Sequence, residues 1–155
     1  MAYCLDSSSL IHAWSRTYPI EHFPSLWANI KNGIDSGLIF VCRDVLLELE
    51  KKDDGLHDWL KQNLTESQML DLDGEVQNQL RIILADYPKF VESRGIRNGA
   101  DPIVIATSKA HDLTVVSEEQ LSLDGKRVKI PNVCQDIGVN CINFMTLIKE
   151  VKLRI

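Results

Sequence analysis

Cysteine is scarce and scattered in this chain. Cys4, Cys42, Cys134 and Cys141 form no C-x-x-C pair and sit among mostly apolar neighbours. Neither a zinc site nor a disulfide framework is expected from that spacing, and the four read as small buried hydrophobes in a reducing compartment. Aromatic residues are few, at 6%. No apolar run approaches the roughly 18 residues that a membrane span requires. Basic residues are in deficit: the net charge is -5 and the pI about 5.3. That excludes the global positive footprint of a protein that coats nucleic acid. It does not exclude an enzyme that cuts nucleic acid, whose site can be acidic and take its positive charge from metal ions. The opening Met1-Ala2-Tyr3-Cys4-Leu5-Asp6 lacks a basic stretch before an apolar one, so no secretory signal is expected and a cytoplasmic protein is. There is no internal repeat, no low-complexity segment and no composition shift that marks a linker.

What is present is an ordinary globular composition, 45% hydrophobic and 25% charged over 155 residues. One domain covering residues 1–155 is expected, burying about 69% of the unfolded surface, enough for a core without staples. Short apolar runs alternate with helical periodicities. Ala2 to Leu5, Leu38 to Cys42, Leu113 to Ser117 and Val139 to Ile142 read as strands, and Met69 to Leu72 as a strand or a loop. Between them, Leu10-Ile11-Trp14, Leu26-Ile30-Ile34, Val45-Leu46-Leu49, Leu56-Trp59-Leu60 and Val76-Leu80-Ile83-Leu84 mark amphipathic helices. Ile103 to Ala110 and Met145-Leu147-Ile148 mark two more. Ser25, Asp44 and Asn143 are candidate caps, Gly37 a C-terminal stop, and Pro88 a limit. Lys126 to Asn132 reads as polar and exposed. The alternation predicts an α/β domain with a mainly parallel central sheet flanked by helices.

In such sheets ligands bind outside the carboxyl ends of the strands. Acids stand at several of those ends: Asp6 after the first, Glu48 one turn into the helix after the second, Asp101 at a helix start, and Glu118 and Glu119 after Ser117. Two carboxylates about 4 Å apart repel by about 4 kcal/mol at an effective dielectric near 20. A cluster of them calls for protons or a cation, and oxygen-only ligands favour Mg²⁺ or Mn²⁺ over zinc. Each acid also has a purely structural explanation. Asp6 and Asp101 can cap helices, Glu48 can be a solvated helix residue, and one of Glu118 and Glu119 can be plain surface.

Together these residues resemble the PIN domain, the nuclease domain of VapC-type toxins. Leu5-Asp6-Ser7-Ser8-Ser9-Leu10-Ile11 looks like its first strand, first acid and following small polar residues. Val45-Leu46-Leu47-Glu48-Leu49 resembles the second motif, Gly99-Ala100-Asp101-Pro102-Ile103-Val104-Ile105-Ala106 the third, and Thr114-Val115-Val116-Ser117-Glu118-Glu119 the fourth. The resemblance spans nearly the whole chain and is greatest to an uncharacterised prokaryotic PIN-like branch. It implies a three-layer α/β/α fold and a hydrolytic ribonuclease using Mg²⁺ or Mn²⁺. Asp6, Glu48, Asp101 and Glu119 would be the catalytic and metal-binding acids, with Ser8 and Ser117 in support. The family more often has Asp where Glu119 stands, and Glu118 is the alternative. Glu50, Asp53 and Asp54 compete with Glu48, which the motif favours and which lies four residues after the expected cap at Asp44. The resemblance further implies an RNA substrate, a small antitoxin partner and a homodimer, with no membrane association. Lys51, Lys52, Arg94, Arg97 and Lys109 are candidate phosphate contacts.

Other classes fit less well. A haloacid-dehalogenase phosphatase needs a second Asp two residues after Asp6, where Ser8 stands. A response-regulator receiver needs paired acids near its first strand, and the pair is absent. The remaining alternative is a catalytically degraded PIN scaffold that binds RNA or protein. Trp14, Trp27 and Trp59 read as core or interface residues. None of His12, His22, His57 and His111 has metal-ligand spacing, and His111 reads as a helix-end dipole partner.

Overall fold

Three short parallel strands carry the centre of the molecule, and their sequences explain why they are buried on both faces. β1 (Tyr3–Leu5), β2 (Ile39–Cys42) and β4 (Thr114–Val116) are almost wholly apolar and nearly solvent-free, as sheets covered on both sides require. β3 (Met69–Leu70) and β5 (Cys141–Ile142) complete a five-stranded sheet in the order β3-β2-β1-β4-β5, with every pairing parallel. Met69 to Leu72, whose sequence suits a strand or a loop, thus supplies an edge strand at Met69–Leu70. The computed structural model describes all residues except 53, 95–98, 124–127 and 154–155, and at 93 and 94 the backbone only.

The helices are α1 (Ser7–His12), α2 (Pro24–Asp35), α3 (Arg43–Glu50), α4 (Leu56–Asn63), α5 (Gly74–Asp86), α6 (Pro88–Arg94), α7 (Ala100–His111), α8 (Ile130–Ile137) and α9 (Phe144–Glu150). A π-helical turn, Ala13–Thr17, continues α1, and a 3₁₀ turn, Glu66–Gln68, leads into β3. Alternation along β1 assigns the two faces. Cys4 lies beside Cys42 and Ser108, under α7, whereas the Tyr3 hydroxyl reaches the other way to donate to Glu150 of α9. α7 packs across β1, β2 and β4 and is flanked by α3, α5 and α8. Towards α9 lies an aromatic group in which Trp27 meets Trp14, Trp59 and Phe144 at ring centroid distances of 5.0, 5.1 and 6.5 Å. The three tryptophans are thus core residues, and the buried Trp27 indole satisfies its N–H on the Tyr18 carbonyl at 2.7 Å. His111 ends α7 and contacts Asp73, the cap of α5, at 2.8 Å.

Several local expectations need correction. Asp44 does not cap α3: the chain passes straight from β2 into the helix through Cys42, placing Asp44 inside the first turn. Ser25 likewise lies inside α2, which starts at Pro24 because proline's fixed φ suits a first helical position. α7 begins at Ala100, so Asp101 sits in its first turn and not at the cap. Pro88 ends α5 but also starts α6. Of the apolar face expected for α5, Val76 and Ile83 are buried but Leu84 is exposed. Of the stretch expected to be polar and exposed, residues 126 and 127 lie outside the described residues, and the rest opens α8 at Ile130, which is fully buried. Asn143 caps α9 as expected, accepting from the Thr146 N–H at 2.8 Å.

Gly37 stops α2 as its position implied. Its φ is +79°, and the Leu38 and Gly37 N–H groups bond back to the Gly33 and Ile34 carbonyls at 2.9 and 3.1 Å. A Cβ at Gly37 would meet nothing within 4 Å, so only backbone conformation opposes a side chain there. Gly37→Ala is expected to cost about 1–2 kcal/mol, read as a lower urea midpoint with an unchanged m-value.

Candidate active site

The strand order reverses between β1 and β4, and this switch point opens a crevice at their carboxyl ends. Asp6 follows β1 and Ser117 follows β4 at that place. Asp6 is completely buried and serves as the N-cap of α1: its Oδ1 accepts from the Ser9 N–H at 2.8 Å. The Ser8 hydroxyl lies 3.0 and 2.8 Å from the two carboxylate oxygens. Ser8 Oγ is also 3.3 Å from Ser117 Oγ and accepts from the Glu118 N–H at 3.1 Å. Ser117 Oγ accepts from the Glu119 N–H at 3.1 Å. The two serines thus join the end of β1 to the end of β4 around one carboxylate. Burial pushes the Asp6 carboxyl up to about 6, while the hydrogen bonds from Ser9, Ser117 and Ser8 pull the other way.

Glu48 reaches the same place from α3. Its Oε2 accepts from the Ser7 hydroxyl at 2.6 Å and its Oε1 from the Ala100 N–H at 2.9 Å. Gly99 offers α7 no side-chain cap, so Glu48 supplies that function from a different helix, where the positive end of α7 favours its charge. One carboxylate therefore touches the neighbour of Asp6 and the neighbour of Asp101, and a plain solvated surface role is set aside. Asp101 is 6% exposed in the first turn of α7. Of the competing acids, Glu50 is exposed, Asp54 receives the Leu56 N–H at the start of α4, and Asp53 lies outside the described residues.

The two acids after β4 turn to different helices. Glu118 Oε1 accepts from the Phe144 N–H at 2.9 Å, and Glu119 Oε1 from the Ile130 N–H at 3.2 Å. Both line a cleft of about 540 Å³ that opens beside Ser8 and runs along α1 to Arg16, with His12 and Lys129 also in its wall. Arg16, His12 and Lys129 escaped the sequence analysis as ligand contacts. The one local signal is the spacing Ser8, His12, Arg16, a repeat of four on the helix that Asp6 starts. Lys109 must be withdrawn as a phosphate contact. It sits in the last turn of α7, bonded to the Ile137 carbonyl, among residues at the opposite ends of the strands. Lys51 and Lys52 follow α3 and are exposed, while Arg97 and the Arg94 side chain are outside the described residues.

The donors gathered near Asp6 are oxygens alone, which suits a hard dication, and an anion buried as Asp6 is would be relieved by one. Among the described residues, however, no group of three or more His, Cys, Asp or Glu side chains is arranged to hold a metal ion. The residues fit an ion held by one or two carboxylates, with water and substrate completing its shell as is usual for Mg²⁺, and not a closed protein cage.

This sheet order, with acids at its switch point and helices on both faces, defines a PIN-like α/β/α fold. A family model described as a domain of unknown function, DUF4411, matches residues 3–155, and the chain belongs to that family. Solved structures share the fold, among them the following two. VapBC2 from Rickettsia felis, bound to a DNA fragment from its promoter, aligns with a TM-score of 0.56 and 17% identity, covering 93% of this chain and 99% of that one. FitAcB from Neisseria gonorrhoeae aligns with a TM-score of 0.51 and 19% identity, covering 91% and 96%. No curated protein matches the sequence. Among the described residues no helix is long and apolar enough to cross a membrane.

Because folding raises the Asp6 pKa from about 3.9 to about 6, the folded state binds that proton more tightly than the unfolded chain. This contribution is fully present below about pH 4 and is lost as pH rises through about 6, a change of about 3 kcal/mol. Asp6→Asn keeps an oxygen for the Ser9 N–H and removes the buried charge. Its melting temperature is expected to exceed wild type by several degrees at pH 8 without divalent ions. The gap should close towards pH 4 in thermal unfolding followed by circular dichroism.

Proposed function

We propose that this protein is a metal-dependent ribonuclease that hydrolyses RNA phosphodiester bonds. Asp6, Glu48 and Asp101 form its acidic centre, with Glu119, or Glu118 in its place, as the fourth acid. The observation that carries this reading is the Glu48 bridge between Ser7 and Ala100, which draws the second and third acidic motifs to the first. Asp6 and Asp101 are the ligands we assign to Mg²⁺ or Mn²⁺, and Glu48 and Glu119 act beside them. Such an ion, when bound, would lower the pKa of a water and offset charge on the phosphate. Ser8 and Ser117 fix the rotamer of Asp6, so that a carboxylate held in a dry site does not turn away. Glu48 steadies the first turn of α7 and with it Asp101. The expected products carry 5′-phosphate and 3′-hydroxyl ends.

The resemblance of the four motifs to those of VapC-type toxins, on a fold shared with VapBC2 and FitAcB, supports the toxin half of a pair with a small antitoxin, and action in the cytoplasm as a homodimer is part of the same proposal. A homodimer would elute at twice the chain mass of 17.6 kDa in size-exclusion chromatography. One observation favours the alternative, a degraded scaffold that only binds RNA or protein. Glu118 and Glu119 each spend an oxygen on a helix N-terminus, and no three-acid group forms among the described residues.

Cleavage of a mixed RNA pool with Mn²⁺ or Mg²⁺ separates the two. The nuclease reading expects cutting that EDTA abolishes and that Asp6→Asn and Asp101→Asn each reduce about 100-fold or more. Folded protein that cuts nothing and shows no calorimetric Mn²⁺ binding lost in Asp6→Asn supports the scaffold instead.

A further inference from the structure

The cleft beside Asp6 carries charge that the acidic centre does not use. Arg16 is exposed at the end of the π turn, and Lys129 is half-buried just before α8. Both line the cleft, and neither forms an ion pair with an acid among the described residues. The acids in the same wall are differently placed. Glu118 and Glu119 each direct an oxygen to a backbone N–H at the start of α9 and α8, where the helix ends offset their charge. The cleft therefore presents two cations against two acids that are already partly compensated. It begins at Ser8, which touches Asp6, and from Ser8 to Arg16 the helix advances about 12 Å. Its wall also includes the apolar, half-buried Ile11 and the amide of Gln120, partners for a base face and a base edge.

We infer that this cleft is the track of a single-stranded RNA: Arg16 and Lys129 bind phosphates next to the scissile one and thereby seat the strand against Asp6. The inference rests on the nuclease reading only in taking RNA as the ligand. It assigns strand binding to α1, the π turn and the approach to α8, and not to Lys51 and Lys52 at the end of α3. The two cations are positioning residues: they hold the strand and take no part in bond breaking.

The test is fluorescence anisotropy of a labelled single-stranded 12-nucleotide RNA on the full chain carrying Asp6→Asn, between about 25 and 200 mM KCl. Adding Arg16→Ala or Lys129→Ala should weaken binding several-fold and reduce the logarithmic salt slope by about 0.7 for each cation removed. Arg16→Lys should restore the slope, which lost packing would not allow. Lys109→Ala, at the opposite ends of the strands, should leave it unchanged. Both side chains reach solvent, and unchanged melting curves will confirm that each variant folds. Binding by the parent with the same affinity and slope in Arg16→Ala and Lys129→Ala overturns the track, as does a parent that binds no RNA. Cutting by the wild type decides the nuclease reading separately. An inactive wild type whose RNA binding still depends on both cations leaves the track standing while catalysis falls.

Discussion

A carboxylate buried at the reversal of strand order is the constraint around which this protein is arranged. Asp6 has no exposed surface, and burial disfavours its charged form enough to push its pKa up to about 6. The surroundings are built to tolerate that charge. The Ser9 N–H and the Ser8 hydroxyl of α1 and the Ser117 hydroxyl at the end of β4 all act on a carboxylate that follows β1, so the hydrogen bonds that hold it also fasten the two central strands together. A site of this kind sacrifices some stability at neutral pH to keep an anion dry. Groups shifted in this way cluster at functional sites, though structural networks also produce them.

Glu48 extends the same logic over a longer range. Its two oxygens link α1, through Ser7, to the first backbone N–H of α7. α7 is the helix that covers the middle of the sheet, with contacts to β1, β2 and β4. An acid that could have been a plain helix cap, or plain surface, is thereby both structural and poised at the crevice. The structural and chemical explanations of Asp6 and Glu48 are not rivals: the cap geometry is what aims the side chain.

Much of this was legible in the sequence because it is local. Leu26, Ile30 and Ile34 repeat at helical spacing and are all buried, Gly37 stands where α2 must stop, and Asn143 caps α9. Asp6, Glu48 and Asp101 stand out in the sequence as candidates by position relative to strand ends and motifs, and Glu48 ties the segment of Asp6 to that of Asp101. Helix starts were less legible. Asp44, Ser25 and Asp101 all have cap chemistry, yet Cys42, Phe23 and Gly99 hold those positions, because chain direction out of the preceding segment decides where a helix can begin. The opening of α8 was hidden by polar neighbours, although Ile130, Val133 and Cys134 carry the periodicity. The cleft could not be read at all as a unit: Arg16 and Lys129 are 113 positions apart, and only the return of the chain past β4 puts them in one wall.

The π turn at Ala13–Thr17 has a consequence for how this family can vary. A π turn amounts to one residue more than an α-helix needs for the same path. Within it, Trp14 faces the aromatic core while Arg16 faces the cleft. Losing one residue there would give a regular helix on the same path and leave what lies beyond in place, but it would re-aim the side chains inside the turn. Trp14 and Arg16 could then no longer both keep their sides. Length at this turn should be far less free to change than its sequence, and lineages that shorten it should be those that have given up the cleft, the tryptophan group, or both.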